Sequence, residues 1–302
     1  MKIIVEVGTS EERDLINSEL QSFFGATPEI FPTLTIDRII VPADFDIAVN
    51  GLLEKPNYQS VRNLGEHQVR AQAKIINSPA GFCIVLSFRL FYSEHEDIQT
   101  RAFVYIHELI HLVNSSKFLV EEIHSQSDRI YVKNLERFVD EYIADRKAYS
   151  VIDKLFLVKS ELWQAALIRQ ASSFIIALTD SNHMQEIKKS IQQLQEHQDI
   201  TIFLPKVGAL FDEILVVLAH SFSLSDCYPN HLPLSELSKC DFVNERTIAL
   251  IDYVRQNYLD NNYQLIEGIP FIKEFMQNFG VAFSDSSNGL VCNVDYSDFQ
   301  QH

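Results

Sequence analysis

Apolar positions in the first 25 residues change their period once. Residues 2–7 (KIIVEV) form a short apolar run closed by Gly8 and predict a strand. From Thr9 the spacing becomes helical. Thr9 and Glu12 stand at capping-box separation, and the pattern predicts a helix to Phe24 with Gly25 just past its end. A second strand is expected at Ile36–Val41, ended by Pro42, and a helix at Phe45–Leu53. Residues 54–68 contain Pro56, Asn57, Asn63 and Gly65 and have the composition of a loop. Two β-rich runs at 72–76 and 82–87 flank Asn77-Ser78-Pro79-Ala80-Gly81, which is turn chemistry, so a hairpin is expected there.

Beyond the hairpin the period is helical to the end. Ser93 and Glu96 repeat the capping spacing. The stretch 95–114 is apolar on nearly every side (Ile98, Ala102, Phe103, Ile106, Leu109 and Leu112), which predicts a helix buried in the middle of a domain. Further helices are expected at 133–150, 152–178, 183–198, 206–222, 234–259 and 269–278, punctuated by Pro205, Pro229, Pro233 and Pro270. The expected fold class is α+β. A strand–helix segment (1–32) packs on a core with a small mixed sheet and a buried helix (33–155), and an all-helical region (156–302) follows.

Charge narrows the partners. The formal net charge of −16 argues against a nucleic-acid backbone and against an anionic membrane, since both call for a basic surface. The apolar run Ile214–Ala219 is too short to span a bilayer, and Met1–Glu6 lacks the features of a signal peptide, so a cytoplasmic location is expected. Cys83, Cys227, Cys240 and Cys292 have no paired spacing and read as free thiols in a reducing compartment.

The candidate chemistry lies on the buried helix, at His107-Glu108-Leu109-Ile110-His111. Residues four apart share a helix face, so His107 and His111 can bind one tetrahedral zinc. Glu108 points about a third of a turn away. It can reach a zinc-bound water without ligating the metal, and so serve as general base. Two histidines and a glutamate on an apolar helix are costly to bury without such compensation. A third ligand must come from elsewhere in the chain. Glu141 is the best candidate, with Asp145 one turn later to accept a hydrogen bond from a ligand histidine, His107 first, and small Ala144 to permit close helix approach. Asp140, Glu136 and His124 are the alternatives, and Arg137–Glu141 is also an ordinary i,i+4 ion pair.

His107-Glu108-x-x-His111 followed by Glu141-x-x-Ala144-Asp145 resembles the two-helix zinc signature of the gluzincin metallopeptidases. The order of elements over residues 33–155 is similar to the zincin core, and in scale to the compact proteases that cut phage repressors and related regulators. The resemblance implies that His107, His111 and Glu141 bind zinc and that Glu108 activates water. It also implies that the strand at 82–87 is a sheet edge that pairs with an extended substrate. Enzymes of this kind also use a Tyr, His or Arg to stabilise the oxyanion, for which His220, Tyr228, His231 and Tyr149 are candidates. The resulting expectation is a zinc endopeptidase acting on an intracellular protein or peptide. The alternatives are a zinc-stabilised binding or sensor protein with a latent site, and an acidic secreted or injected toxin protease.

Overall fold

The computed structural model describes residues 1–25, 34–53, 58–59, 61–64, 67–92, 97–115, 123, 125–179, 185–186, 189–190, 192–193, 200–240, 243–258, 265–287 and 289–294. The Ser93–Glu96 capping pair and most of the helix expected at 183–198 lie outside them. The chain divides into two compact units. One comprises Met1–Val113 with Lys147–Leu167, the other Asn114–Arg146 with Ile168–His302.

The first unit is built on a four-stranded sheet in the order β1-β2-β6-β5, with β1 at Lys2–Val5, β2 at Ile36–Val41, β5 at Ala73–Ser78 and β6 at Gly81–Leu86. β1, β2 and β6 run parallel, and β5 is antiparallel to β6. The capping box forms as its spacing predicts. Thr9 N donates to Glu12 Oε2 at 2.6 Å and Glu12 N donates to Thr9 Oγ1 at 3.3 Å, which starts α1 (Ser10–Gly25). Asp44 likewise caps α2 (Phe45–Leu52) by accepting from Ile47 N at 2.9 Å. The β5–β6 hairpin closes with Ser78 opposite Gly81. Gly81 has φ of +138°, and a β-carbon there would collide with the Thr35 carbonyl.

Ile16, Leu20 and Phe24 of α1 bury against Ile39, Val41, Ile84 and Leu86 of the sheet and against Tyr105 and Leu109. Each such side chain contributes about 1.5–3 kcal/mol on burial. Tyr105 and Leu109 lie on α4 (Ile98–Ser115), whose first turn is capped by Asp97 Oδ1 accepting from Gln99 N at 3.1 Å and Thr100 N at 3.0 Å.

Four expectations are corrected. The supposed loop at 54–68 holds β3 (Val61–Leu64), which pairs antiparallel with β4 (His67–Arg70). The run at 82–87 is not a sheet edge: β6 lies between β2 and β5, and the four-stranded sheet ends in β1 and β5. Its continuous apolar run suits a strand covered on both faces. Pro205 does not delimit a helix but sits inside α7 (Ile200–Cys227), near its start. The region after 155 is not all helical, because β7 (Val281–Ser286) and β8 (Gly289–Val294) form an antiparallel hairpin.

Among the described residues, the regular structure of the second unit is otherwise helical. It holds most of α5 (Gln126–Leu155), together with α7, α9 (Glu245–Asn257) and α10 (Ile269–Gln277). Two shorter helices are α3 (Arg89–Tyr92) in the first unit and α8 (Leu234–Leu237) in the second; α6 (Glu161–Thr179) passes from the first to the second. Asp226 of α7 accepts from Tyr142 Oη at 2.5 Å and Arg146 Nη1 at 2.8 Å on α5, and from Arg255 Nη2 at 2.5 Å on α9, so one carboxylate joins three helices. Burial together with that hydrogen bond pushes the Tyr142 phenol well above its ordinary value. The hairpin is stapled to the start of α5. Phe283 N donates to Tyr131 Oη at 2.6 Å while that hydroxyl donates to Phe283 O at 3.1 Å. The stretch Phe203–Cys227 is long and apolar enough to cross a membrane, with a mean hydropathy of 1.6, but 67% of its most apolar part is buried within the protein. It is a core helix of this unit.

Candidate metal centre

α4 carries His107, Glu108 and His111, all half-buried. Leu109 and Ile110 between them are buried, which fixes how the helix is turned about its axis. Phe103, one turn earlier, stacks on Tyr149 at 4.6 Å and packs against Trp163 at 5.9 Å and against the His107 ring at 6.0 Å. His107 therefore stands on a rigid aromatic base. The two imidazoles meet edge to face at 84°, with Nε2 of His107 2.9 Å from Nε2 of His111.

α5 carries Glu141 and Asp145 on one face, both buried at 5% and 2% exposure. Ala144 beside them is fully buried. Glu141 Oε1 takes Arg137 Nη1 at 2.6 Å, and the same guanidinium reaches Asp212 at 3.2 Å. The expected i,i+4 pair therefore forms through one carboxylate oxygen, Oε1. The other, Oε2, lies 3.7 Å from His220 Nε2. Behind it, His220 Nδ1 donates to Asp145 Oδ2 at 2.6 Å, and Ser223 Oγ donates to the same oxygen at 2.9 Å. Phe174 stacks on the His220 ring at 5.9 Å and 12°.

One ligand atom from each of His107, His111 and Glu141 lies within 4.8 Å of the other two. This group could hold a metal ion. The donor set passes a chemical test: two imidazole nitrogens and a carboxylate oxygen are all donors that zinc takes. Tetrahedral zinc with bonds of about 2.0–2.2 Å separates its ligand atoms by about 3.4 Å. The His107–His111 nitrogens, at 2.9 Å, need only a small side-chain adjustment to reach that.

The other candidates take different places. Asp140 accepts from Asn114 Nδ2 at 3.1 Å, and it and Glu136 line a cleft outside the three-residue group. His124 lies outside the described residues. Asp145 was expected to orient a ligand histidine; the partners seen on its Oδ2 are His220 and Ser223. Of the oxyanion candidates, His220 adjoins Glu141. Tyr149 is packed in the aromatic core of the first unit. Tyr228 and His231 share the turn after α7 with rings 6.2 Å apart. Ser223 and Asp212 carry no sequence signal, since their partners stand 75 residues or so away along the chain.

No protein-family model matches this chain, and comparisons with curated proteins and with solved structures gave no match either.

Proposed function

We propose that the protein is a zinc-dependent endopeptidase of the gluzincin kind, acting on a protein or peptide inside the cell. The observation that carries this reading is the convergence of His107, His111 and Glu141 within 4.8 Å, with Glu108 next to the first histidine. Bound zinc supplies a Lewis acid and lowers the pKa of a coordinated water toward about 7.

This chain's residues do the rest. Glu108 accepts the proton of the attacking water and passes it to the leaving amine. His220 donates a hydrogen bond from Nε2 to the oxyanion that develops on the scissile carbonyl. Asp145, by accepting from Nδ1, fixes the plane of the His220 ring. Arg137 holds Glu141 in place. The test is Glu108→Gln, which keeps size and polarity but removes the base. Cleavage of a proteome-derived peptide mixture by the zinc-loaded wild type, and its loss in this variant, is the expected result. A zinc-loaded wild type that cuts nothing favours the latent, zinc-stabilised binding protein instead.

A further inference from the structure

Beside Glu141 the second unit opens into a cleft of about 670 Å³ between α5 and α7. That size falls within the range of about 300–1,000 Å³ typical of ligand sites. Its floor is apolar, with Phe211, Met276 and Phe283 buried there. Its rim is charged. Glu136, Asp140 and Asp212 supply three carboxylates, against Lys133 and Arg137. Arg137 is already engaged by Glu141 at 2.6 Å and by Asp212 at 3.2 Å. The carboxylates of the rim outnumber its cations three to two. Burial raises the Glu136 carboxyl above its ordinary value and the facing Asp140 raises it further, with Lys133 offsetting only part.

An apolar floor under an acidic rim matches one kind of side chain, a long aliphatic stem with a cationic head. Because Arg137 both walls the cleft and grips Glu141, an occupant would lie directly beside the candidate metal ligand. We infer that this cleft is the subsite that takes a lysine or arginine side chain of the polypeptide substrate, an inference that rests on the peptidase reading above.

The test uses full-length, zinc-loaded Glu108→Gln protein and fluorescein-labelled octapeptides, randomised except for one central residue: Lys, Arg, norleucine or Glu. Norleucine has a similar stem without the charge. By fluorescence anisotropy the Lys and Arg sets should bind about tenfold tighter than the norleucine set, with the Glu set weakest. Adding Glu136→Gln should shrink that gap to about threefold or less. A second variant guards against misfolding. Gly208 lines the cleft, and a β-carbon built there meets no atom within 4 Å. Gly208→Met should block binding of every set while the thermal midpoint is kept or raised, since methionine favours the helix more than glycine does. Equal binding of Lys and norleucine sets, preference for Glu, or no binding at all would overturn the inference. Cleavage of the same sets by the wild type separates the two claims. Cutting without basic preference sinks the subsite and spares the peptidase; basic preference in binding without any cutting does the reverse.

Discussion

Asp145 is 2% exposed, and one of its oxygens receives both His220 Nδ1 at 2.6 Å and Ser223 Oγ at 2.9 Å. Hydrogen bonds to a charged acceptor contribute about 1.5–3 kcal/mol each. Asp145→Ala removes both, although Ser223 Oγ can still donate to His220 O at 2.9 Å, so a loss of about 3 kcal/mol is expected. Asp145→Asn keeps an acceptor oxygen in the same place and forfeits only the charge, at a cost of about 1 kcal/mol. With urea slopes of about 1–3 kcal/mol/M, the alanine variant should shift the unfolding midpoint by about 1 M or more and the asparagine variant by much less. Function should separate differently from stability. The asparagine variant should retain zinc, yet turn over about 10–100-fold more slowly, because an uncharged partner holds the His220 ring less firmly. Unfolding free energies of both variants within about 0.5 kcal/mol of wild type would refute the view that this carboxylate anchors His220.

The remaining predictions concern the frame around the site. Asp226→Ala leaves Arg146 and Arg255 partly buried without their shared carboxylate; with side-chain exposures of 28% and 23% softening the effect, thermal unfolding should show a loss of about 2–4 kcal/mol. Asp285 accepts from Ser125 and Ser127 at the start of α5, and those hydrogen bonds, the Ser125 hydroxyl first, hold its carboxyl below the ordinary value of 3.8. A lowered folded pKa stabilises above the ordinary value and is lost as pH falls through the lowered one, so Asp285→Asn should be less stable than wild type at pH 7, with the two curves converging as pH falls below the ordinary value of 3.8. Gly268→Ala would press a β-carbon against Leu135 and bring it to 2.8 Å from Tyr253 Cε1, so a loss of about 1–3 kcal/mol is expected in urea titration.

Local signals in the sequence read well, and non-local ones do not. The Thr9–Glu12 box, the 36–41 strand and the Asn77–Gly81 turn depend on neighbours within a few residues, and each forms. The spacing of His107 and His111 within α4 is likewise local, as is that of Glu141 and Asp145 within α5. The position of 82–87 in the sheet is not, since it depends on β2 arriving in parallel from about 45 residues upstream. The unbroken apolar run Phe82-Cys83-Ile84-Val85-Leu86 did carry the sign of a central strand, against the edge role that the resemblance implies. The hairpin at 281–294 also had a signal, with Asn288-Gly289 between two β-rich runs, but the helical period before it masks the change. Asp226, Ser223 and Asp212 acquire their roles only from helices packed far apart in sequence, and nothing in their immediate neighbours marks them.

Zinc content, measured on purified wild type and on single variants, tests the central claim most directly. The account predicts about one zinc per chain in the wild type and in Glu108→Gln, and loss of zinc in His107→Ala, His111→Ala and Glu141→Ala. Full zinc retention in Glu141→Ala would contradict it and move the third ligand elsewhere.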